Sequence, residues 1–302
     1  MLKRLAQFIF YGNYFYGCCT VALAFEASMQ QNLPPNSLFF YLLLYFGTVL
    51  FYTRAYIKER DTRYINNRNK WYSSNKALIQ KLQLILLIAC LVLSIVLFIK
   101  NAPGLQNISL LQTLPVAFAG FIALSYYGFL LGLPAKINAR KTGWLKPFAI
   151  GFVWAVAVTY IPVLWYQAEQ NTHYIFSRIN GWLFIKNFMF ISVLAILFDI
   201  KDYAADHNKR LKTFVVRMGL HKTIFYIIIP LAILGFISLV IFARYEQFSP
   251  LRIIINSIPF VLLIIVAWSM QRRKPIIYYL AVIDGLMLVK ALCGITASLL
   301  TK

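Results

Sequence analysis

The stretch Phe198-Asp199-Ile200-Lys201-Asp202-Tyr203-Ala204-Ala205-Asp206 decides how this chain is read. It closes an apolar run, Ile179 to Phe198, whose one interior charge is Lys186. A run of that length crosses a bilayer core as an α-helix, at about 1.5 Å per residue. If the helix continues past the membrane edge, each residue turns by about 100°. Asp199, Asp202 and Asp206 then share one face. Three carboxylates on one face repel one another, so the arrangement makes sense around a cation. Mg2+ suits it, because that ion takes one or two carboxylates together with substrate phosphates and water. Lys209, Arg210, Lys212 and Arg217 follow closely and are placed to contact phosphate oxygens. The competing reading is that these acids pair with neighbouring Lys and Arg on a solvated face.

Composition sets the surroundings of that stretch. Of 302 residues, 61% are hydrophobic and 13% are charged, too few for a water-soluble surface. The same figures exclude a disordered chain. Further apolar runs predict a single all-α integral-membrane domain, residues 1–302, of nine transmembrane helices. Their approximate ranges are 5–28, 37–53, 82–99, 110–132, 147–167, 179–198, 223–243, 253–271 and 276–299. The long connections are 54–81 and 199–222. Gly12, Asn13 and Tyr14 interrupt the first run and no small-residue cleavage site follows, so it reads as an anchor helix rather than a signal peptide.

The charge is very unequal, 30 Lys+Arg against 9 Asp+Glu, which in a soluble protein would suggest nucleic acid. With the N-terminus placed in the cytoplasm, 23 of the 30 basic residues fall in cytoplasmic segments. That is the positive-inside pattern of a cytoplasmic-membrane protein, with the C-terminus on the opposite side. Topology therefore absorbs most of the net charge, and no nucleic-acid partner is expected. Cys18, Cys19, Cys90 and Cys293 lie in apolar runs, and His173, His207 and His221 are scattered, so neither set forms a zinc or nucleophile pattern. Gly-rich phosphate loops and internal repeats are not evident.

The window Asp199-Ile-Lys-Asp-Tyr-Ala-Ala-Asp206, then Leu211-Lys212-Thr213 and Val216-Arg217-Met218-Gly219, resembles the second aspartate motif of the UbiA-type prenyltransferase superfamily. Lys136, Arg140 and Gly143-Trp144-Leu145-Lys146-Pro147 resemble the basic connection before helix five of that family. The resemblance covers nearly the whole chain in outline. It implies nine helices around a central cavity open to lipid. It also implies an isoprenyl diphosphate held through Mg2+ at the cytoplasmic end, and transfer of its isoprenyl group to a lipophilic, aromatic or quinone-precursor acceptor. Asp199, Asp202 and Asp206 would hold the metal, and Lys136, Arg140, Lys212 and Arg217 would meet the diphosphate.

The first aspartate motif departs from the family. Where acids are expected at the end of helix two, the chain reads Tyr52-Thr53-Arg54-Ala55-Tyr56-Ile57-Lys58-Glu59-Arg60-Asp61. With Thr53 at the Asn place, Asp61 falls on the last acidic place and could hold a metal weakly. Arg54, Lys58 and Arg60 could neutralise the diphosphate directly, in place of one Mg2+. The other reading is a plain solvated loop in a protein that has lost the transfer step. Lys186 and Asp284 lie inside predicted spans, where ionisable groups are costly and usually paired or functional. They could pair with each other, or Lys186 could snorkel outward. Glu26 reads as interfacial, and Asn13 as a hydrogen-bonding group between helices.

Three classes of function remain: an intramembrane prenyltransferase, a catalytically altered protein of the same fold that binds an isoprenoid or assists a partner, and a transporter. The transporter reading lacks inverted repeats or paired Gly/Pro-broken helices.

Overall fold

The computed structural model describes residues 2–58, 67–126, 143–208, 211–272 and 274–300. Among these residues every regular element is helical. In chain order they are α1 (Leu2–Tyr11), α2 (Tyr14–Gln30), α3 (Leu38–Lys58), α4 (Asn67–Ser74), α5 (Lys76–Lys100), α6 (Ala102–Leu105), α7 (Leu110–Tyr126) and α8 (Lys146–Ala155). There follow α9 (Ile161–Gln170), α10 (Arg178–Asn208), α11 (Phe214–Met218), α12 (Leu220–Thr223), α13 (Ile229–Tyr245), α14 (Pro250–Ser269), α15 (Ile276–Tyr278) and α16 (Asp284–Leu300).

Six helical stretches among the described residues are long and apolar enough to cross a membrane. They are Lys76–Lys100, Lys146–Gln170, Arg178–Tyr203, Leu220–Tyr245, Pro250–Ser269 and Ile276–Leu300. The pair α1 and α2 makes a seventh if the two count as one bent span, and Leu38–Arg54 and Leu110–Ser125 are shorter apolar helices. The chain is thus a multi-pass membrane protein by the length and composition of its helices.

Neighbouring helices lie side by side: α8 along α10, α10 along α13, α13 along α14, α14 along α16, α16 along α2, α2 along α3 and α3 along α5. The core runs through the inner faces, with Leu23, Trp154, Val158, Leu197, Ile228, Leu263 and Ile283 buried together. Helix α5 sits at the margin: only 6% of its apolar window is buried, and Leu84, Ile85, Ile88, Leu91 and Ile95 face outward. Apolar side chains on that outer surface belong in lipid.

The first predicted span, 5–28, is not one straight helix. α1 and α2 meet at 58°, and Asn13 between them is left-handed, with φ 65°. The bend occurs there because Gly12 and Asn13 tolerate it, and because Asn13 is held from outside its own helix, by Thr53 and Arg68. The two long connections contain helix among the described residues. Residues 54–58 complete α3, 67–74 form α4 and 76–81 begin α5, while 199–208 continue α10 and α11 and α12 follow. Charged residues do not end a helix; they only end its stay in lipid.

Three π-helical segments interrupt the spans among the described residues: Val156–Tyr160, Ile224–Ile228 and Tyr279–Ile283. The first two precede Pro162 and Pro230 closely. A proline lacks the N–H for the normal ladder and crowds the carbonyl one turn back, so the helix widens before it.

Glu26, expected at the outer end of its helix, faces into the bundle. It is fully buried, with Lys290 Nζ 2.8 Å from Oε2 and Lys186 Nζ 3.7 Å from Oε1. Lys186 therefore turns inward to Glu26, rather than pairing with Asp284 or snorkelling.

Candidate functional site at the end of α10

The carboxylates of the acid-rich window sit on a continuous helix that α8 holds from one side. Gly151 lets α8 and α10 approach, since a Cβ there would lie 2.1 Å from Ser192 Oγ. The approach aligns Lys146, in the first turn of α8, with Asp199. Lys146 Nζ donates to Asp199 Oδ1 at 2.6 Å. Asp199 is fully buried, and its Oδ2 has no hydrogen-bond partner among the described residues. Asp202 Oδ1 lies 3.2 Å from Lys201 Nζ, and Asp206 is buried near the end of α10.

The described residues contain no group of three or more His, Cys, Asp or Glu close enough to hold one metal ion. The shared face seen in the sequence is real as a helical register, but Asp199 and Asp202 each lean on a different ammonium. What the donor set offers is one buried, unpartnered carboxylate oxygen, Asp199 Oδ2, with Asp202 one turn further along. That fits a single Mg2+ arriving with a diphosphate, because such an ion needs few protein ligands.

The basic residues divide. The turn before α8 and the segment before α11 are in direct backbone contact. A Cβ on Gly143 would lie 2.5 Å from both the Lys212 carbonyl carbon and the Thr213 nitrogen. Thr213 is buried and caps α11, its hydroxyl accepting from Val216 N at 3.3 Å. This capping puts Lys212 and Arg217 at either end of one short turn, both exposed. Two segments that the sequence offered separately thus meet at the turn leading into α8, whose Lys146 holds Asp199. Lys136, Arg140 and Asp61 lie outside the described residues, as does the side chain of Lys58.

At the end of α3, Thr53 is buried and engaged. It accepts from Asn13 Nδ2 at 3.0 Å and donates to the Gly12 carbonyl at 3.1 Å. Arg54, beside it, is exposed. The cation that dominates this region is one that sequence reasoning counted only as a loop charge. Arg68, on α4, is 3% exposed. It donates to Asn13 Oδ1 at 2.6 Å, to the Tyr56 hydroxyl at 2.8 Å and to the Tyr11 carbonyl at 2.9 and 3.2 Å. Its guanidinium also lies 3.9 Å from the centre of the Tyr56 ring. Tyr72 donates to the same Tyr11 carbonyl at 2.8 Å, and burial holds its phenol above the ordinary value despite the opposing pull of Arg68.

Asp284, singled out in the sequence as an ionisable group inside a span, has a different setting from Lys186. It begins α16 directly after a π-helical segment, is buried, and has no hydrogen-bond partner for Oδ1 among the described residues. Arg68 and Lys201 are the cations whose fields reach it. The signals available in the sequence were Asn13 inside an aromatic run and Asp284 inside a span. Neither names its partner.

No known family model matches the chain, and no curated protein matches it in sequence. Among solved structures it is similar to a UbiA homologue from Archaeoglobus fulgidus, determined bound to DMAPP and Mg2+. The similarity has a TM-score of 0.55 and covers 96% of this chain and 99% of that one, at 14% identity. At that identity the likeness is one of fold. The helical arrangement that carries Asp199 and Lys146 is accordingly a UbiA-type fold.

Proposed function

We propose that this protein binds an isoprenyl diphosphate at the end of α10 and transfers the isoprenyl group to a lipophilic acceptor, aromatic or quinone-precursor, within the membrane. The observation that carries this reading is Asp199, buried with one oxygen on Lys146 and the other unpartnered. It is supported by a fold shared with a homologue solved with DMAPP and Mg2+. In this reading nine spans enclose a central cavity, with the N-terminus and the α10–α12 region in the cytoplasm.

Asp199 and Asp202 would hold Mg2+, which would supply positive charge to the departing diphosphate, with Asp206 further along the same face. The remaining work falls to the chain. Lys146 neutralises Asp199 before the ligand arrives and offers its ammonium to a phosphate oxygen afterwards. Lys212 and Arg217, with Lys136 and Arg140, add charge-assisted donors, and Arg54 and Lys58 do so from the end of α3. Cleavage of the allylic C–O bond sends its electron pair out with the diphosphate. The acceptor carbon then forms the new C–C bond and gives up its proton. Buried aromatic side chains such as Trp154, whose Nε1 donates to Tyr52 at 2.6 Å, keep water from the allylic cation.

The test is binding of geranylgeranyl diphosphate with Mg2+, followed by product analysis against a panel of aromatic acceptors. Asp199→Asn is expected to weaken binding about ten-fold, as loss of one charged ligand does. Unchanged binding would remove Asp199 from the site. The basic character of Arg54 and the engaged state of Thr53 favour a second reading, a protein of the same fold that binds an isoprenoid or assists a partner without transfer. Binding without product from any acceptor selects that reading.

A further inference from the structure

The transfer chemistry makes no use of Asp284. This residue opens α16, is 4% exposed, and its Oδ1 meets no hydrogen-bond donor among the described residues. A carboxyl oxygen is costly to bury without a donor, and an acid inside a span marks a place for something polar. The helix is also shaped to present it. A π-helical segment, Tyr279–Ile283, ends directly before Asp284. The other two such segments stand in front of Pro162 and Pro230, but no proline follows this one. A wide turn adds a residue to the helix and so takes Asp284 out of the register of α15. Cys19 on α2 fixes its place, with Sγ 3.5 Å from the Asp284 carbonyl oxygen.

Asp284 lies just inside the acid-rich window. The ring centre of Tyr279 is 6.1 Å from that of Phe198, and the charge of Asp202 reaches the Tyr279 phenol. Asp284 follows five residues later, about 7 Å further along the helix. The cations whose fields meet it are Arg68 and Lys201, and Lys201 is the residue that lies 3.2 Å from Asp202. On α2, Tyr16 stands one turn from Cys19. It packs edge-on against Tyr52 and Trp154, at 4.5 and 4.9 Å between ring centres. Tyr16, Tyr52 and Phe198 pack against the core yet are only partly buried, so aromatic surface stays open on the window side of Asp284.

We propose that Asp284 selects the acceptor, by hydrogen-bonding a hydroxyl group carried on its aromatic ring. This role rests on the transfer reading above. A diphosphate held by Asp199 and Asp202 leaves its allylic carbon just inside the window, and a ring anchored at Asp284 lies in the path of that carbon. A hydroxyl suits Asp284 in either of its forms, since it donates to a carboxylate and accepts from a carboxylic acid. A ring whose oxygen is methylated leaves a buried carboxyl oxygen without its donor, and a site built around a hydroxyl rejects such a ring for that reason.

The experiment uses the full chain in lipid nanodiscs with geranylgeranyl diphosphate and Mg2+. The acceptors are 1-naphthol, hexyl 4-hydroxybenzoate and 2-methylhydroquinone. The KM of each is compared with the inhibition constant of its own methyl ether. The wild type is expected to hold the hydroxylated ring about ten-fold more tightly than the ether, the worth of one buried hydrogen bond. Asp284→Leu should bring the two to equality with diphosphate affinity unchanged. Asp284→Asn should keep most of the preference, because an amide also donates and accepts. A wild type that holds the ether as tightly as the hydroxylated ring overturns the proposal whatever the variants do. An unaltered ratio in Asp284→Leu overturns it too and leaves the acid to a buried water, and a loss of diphosphate affinity in that variant makes Asp284 a structural group. Wild-type protein that binds the diphosphate and yields no product removes the transfer reading and this role together, whereas product with an unaltered ratio removes this role alone.

Discussion

Lys146 Nζ lies 2.6 Å from Asp199 Oδ1 and ties the first turn of α8 to α10 across 53 residues of sequence. The two partners are unequally buried, with side-chain exposures of 15% for the lysine and 0% for the aspartate. Removing the lysine strands a carboxylate that water cannot reach, whereas removing the aspartate leaves an ammonium that can still turn toward solvent. Lys146→Met is therefore expected to cost about 3–5 kcal/mol, and Asp199→Asn clearly less. Thermal unfolding of both variants in detergent checks this, and the reverse order would contradict the assigned burial.

The contact between the turn before α8 and the segment before α11 rests on Gly143. Alanine there drives a Cβ to 2.5 Å from Lys212 and Thr213 backbone atoms, which cannot rotate away. Gly143→Ala should separate Lys212 from Asp199 and lower diphosphate affinity, with far-ultraviolet helicity retained. A variant with wild-type affinity would show that the two segments do not act on one ligand.

Arg68 joins α1, α3 and α4 through a fork of hydrogen bonds that a lysine cannot reproduce. Arg68→Met leaves Asn13 Oδ1 short of its donor, at a cost of about 1–3 kcal/mol, while Tyr72 still donates to the Tyr11 carbonyl. Arg68→Lys should recover little of it. Full rescue by lysine, read as unfolding temperature, would mean that only the charge matters.

Asp284 behaves in the opposite sense. Its Oδ1 is buried with no hydrogen bond, and the cations reaching it, Arg68 and Lys201, act without direct contact. Asp284→Leu is expected to raise the unfolding temperature, because it removes a buried carboxyl oxygen left without a hydrogen bond. A stabilising substitution inside a span marks a position held for a ligand rather than for the fold. A lowered unfolding temperature would make Asp284 a structural counter-ion instead.

Mg2+ dependence separates one metal from two. The α10 side supplies carboxylates, while Thr53 and Arg54 supply none at the end of α3. Diphosphate binding should fall when Mg2+ is chelated and return along a curve for a single ion per ligand. A cooperative two-ion curve would require acids outside the described residues.

Parts of this protein were legible before any coordinates. Lipid demands about 20 apolar residues per crossing, so the spans stand out as runs. Basic residues gather in alternate connections between those runs, the pattern from which an orientation is expected. The acid-rich window from Asp199 to Asp206 was visible because acids are scarce, nine in 302 residues. Its pairing was not visible, since Lys146 reaches Asp199 through the packing of α8 on α10.

The same limit applied to Glu26, Arg68 and Asp284. In a soluble helix an apolar stripe reports which face is inside, but a membrane helix is apolar all round and its sequence carries no such mark. Glu26 read as interfacial, yet Lys290, 264 residues away, holds it in the interior. Arg68 read as one loop charge among many, yet it is the knot between three helices. Sequence alone determined that the chain crosses the membrane repeatedly and carries one acidic window. Which charges turn inward, and which partner each one meets, was decided by the contacts between helices.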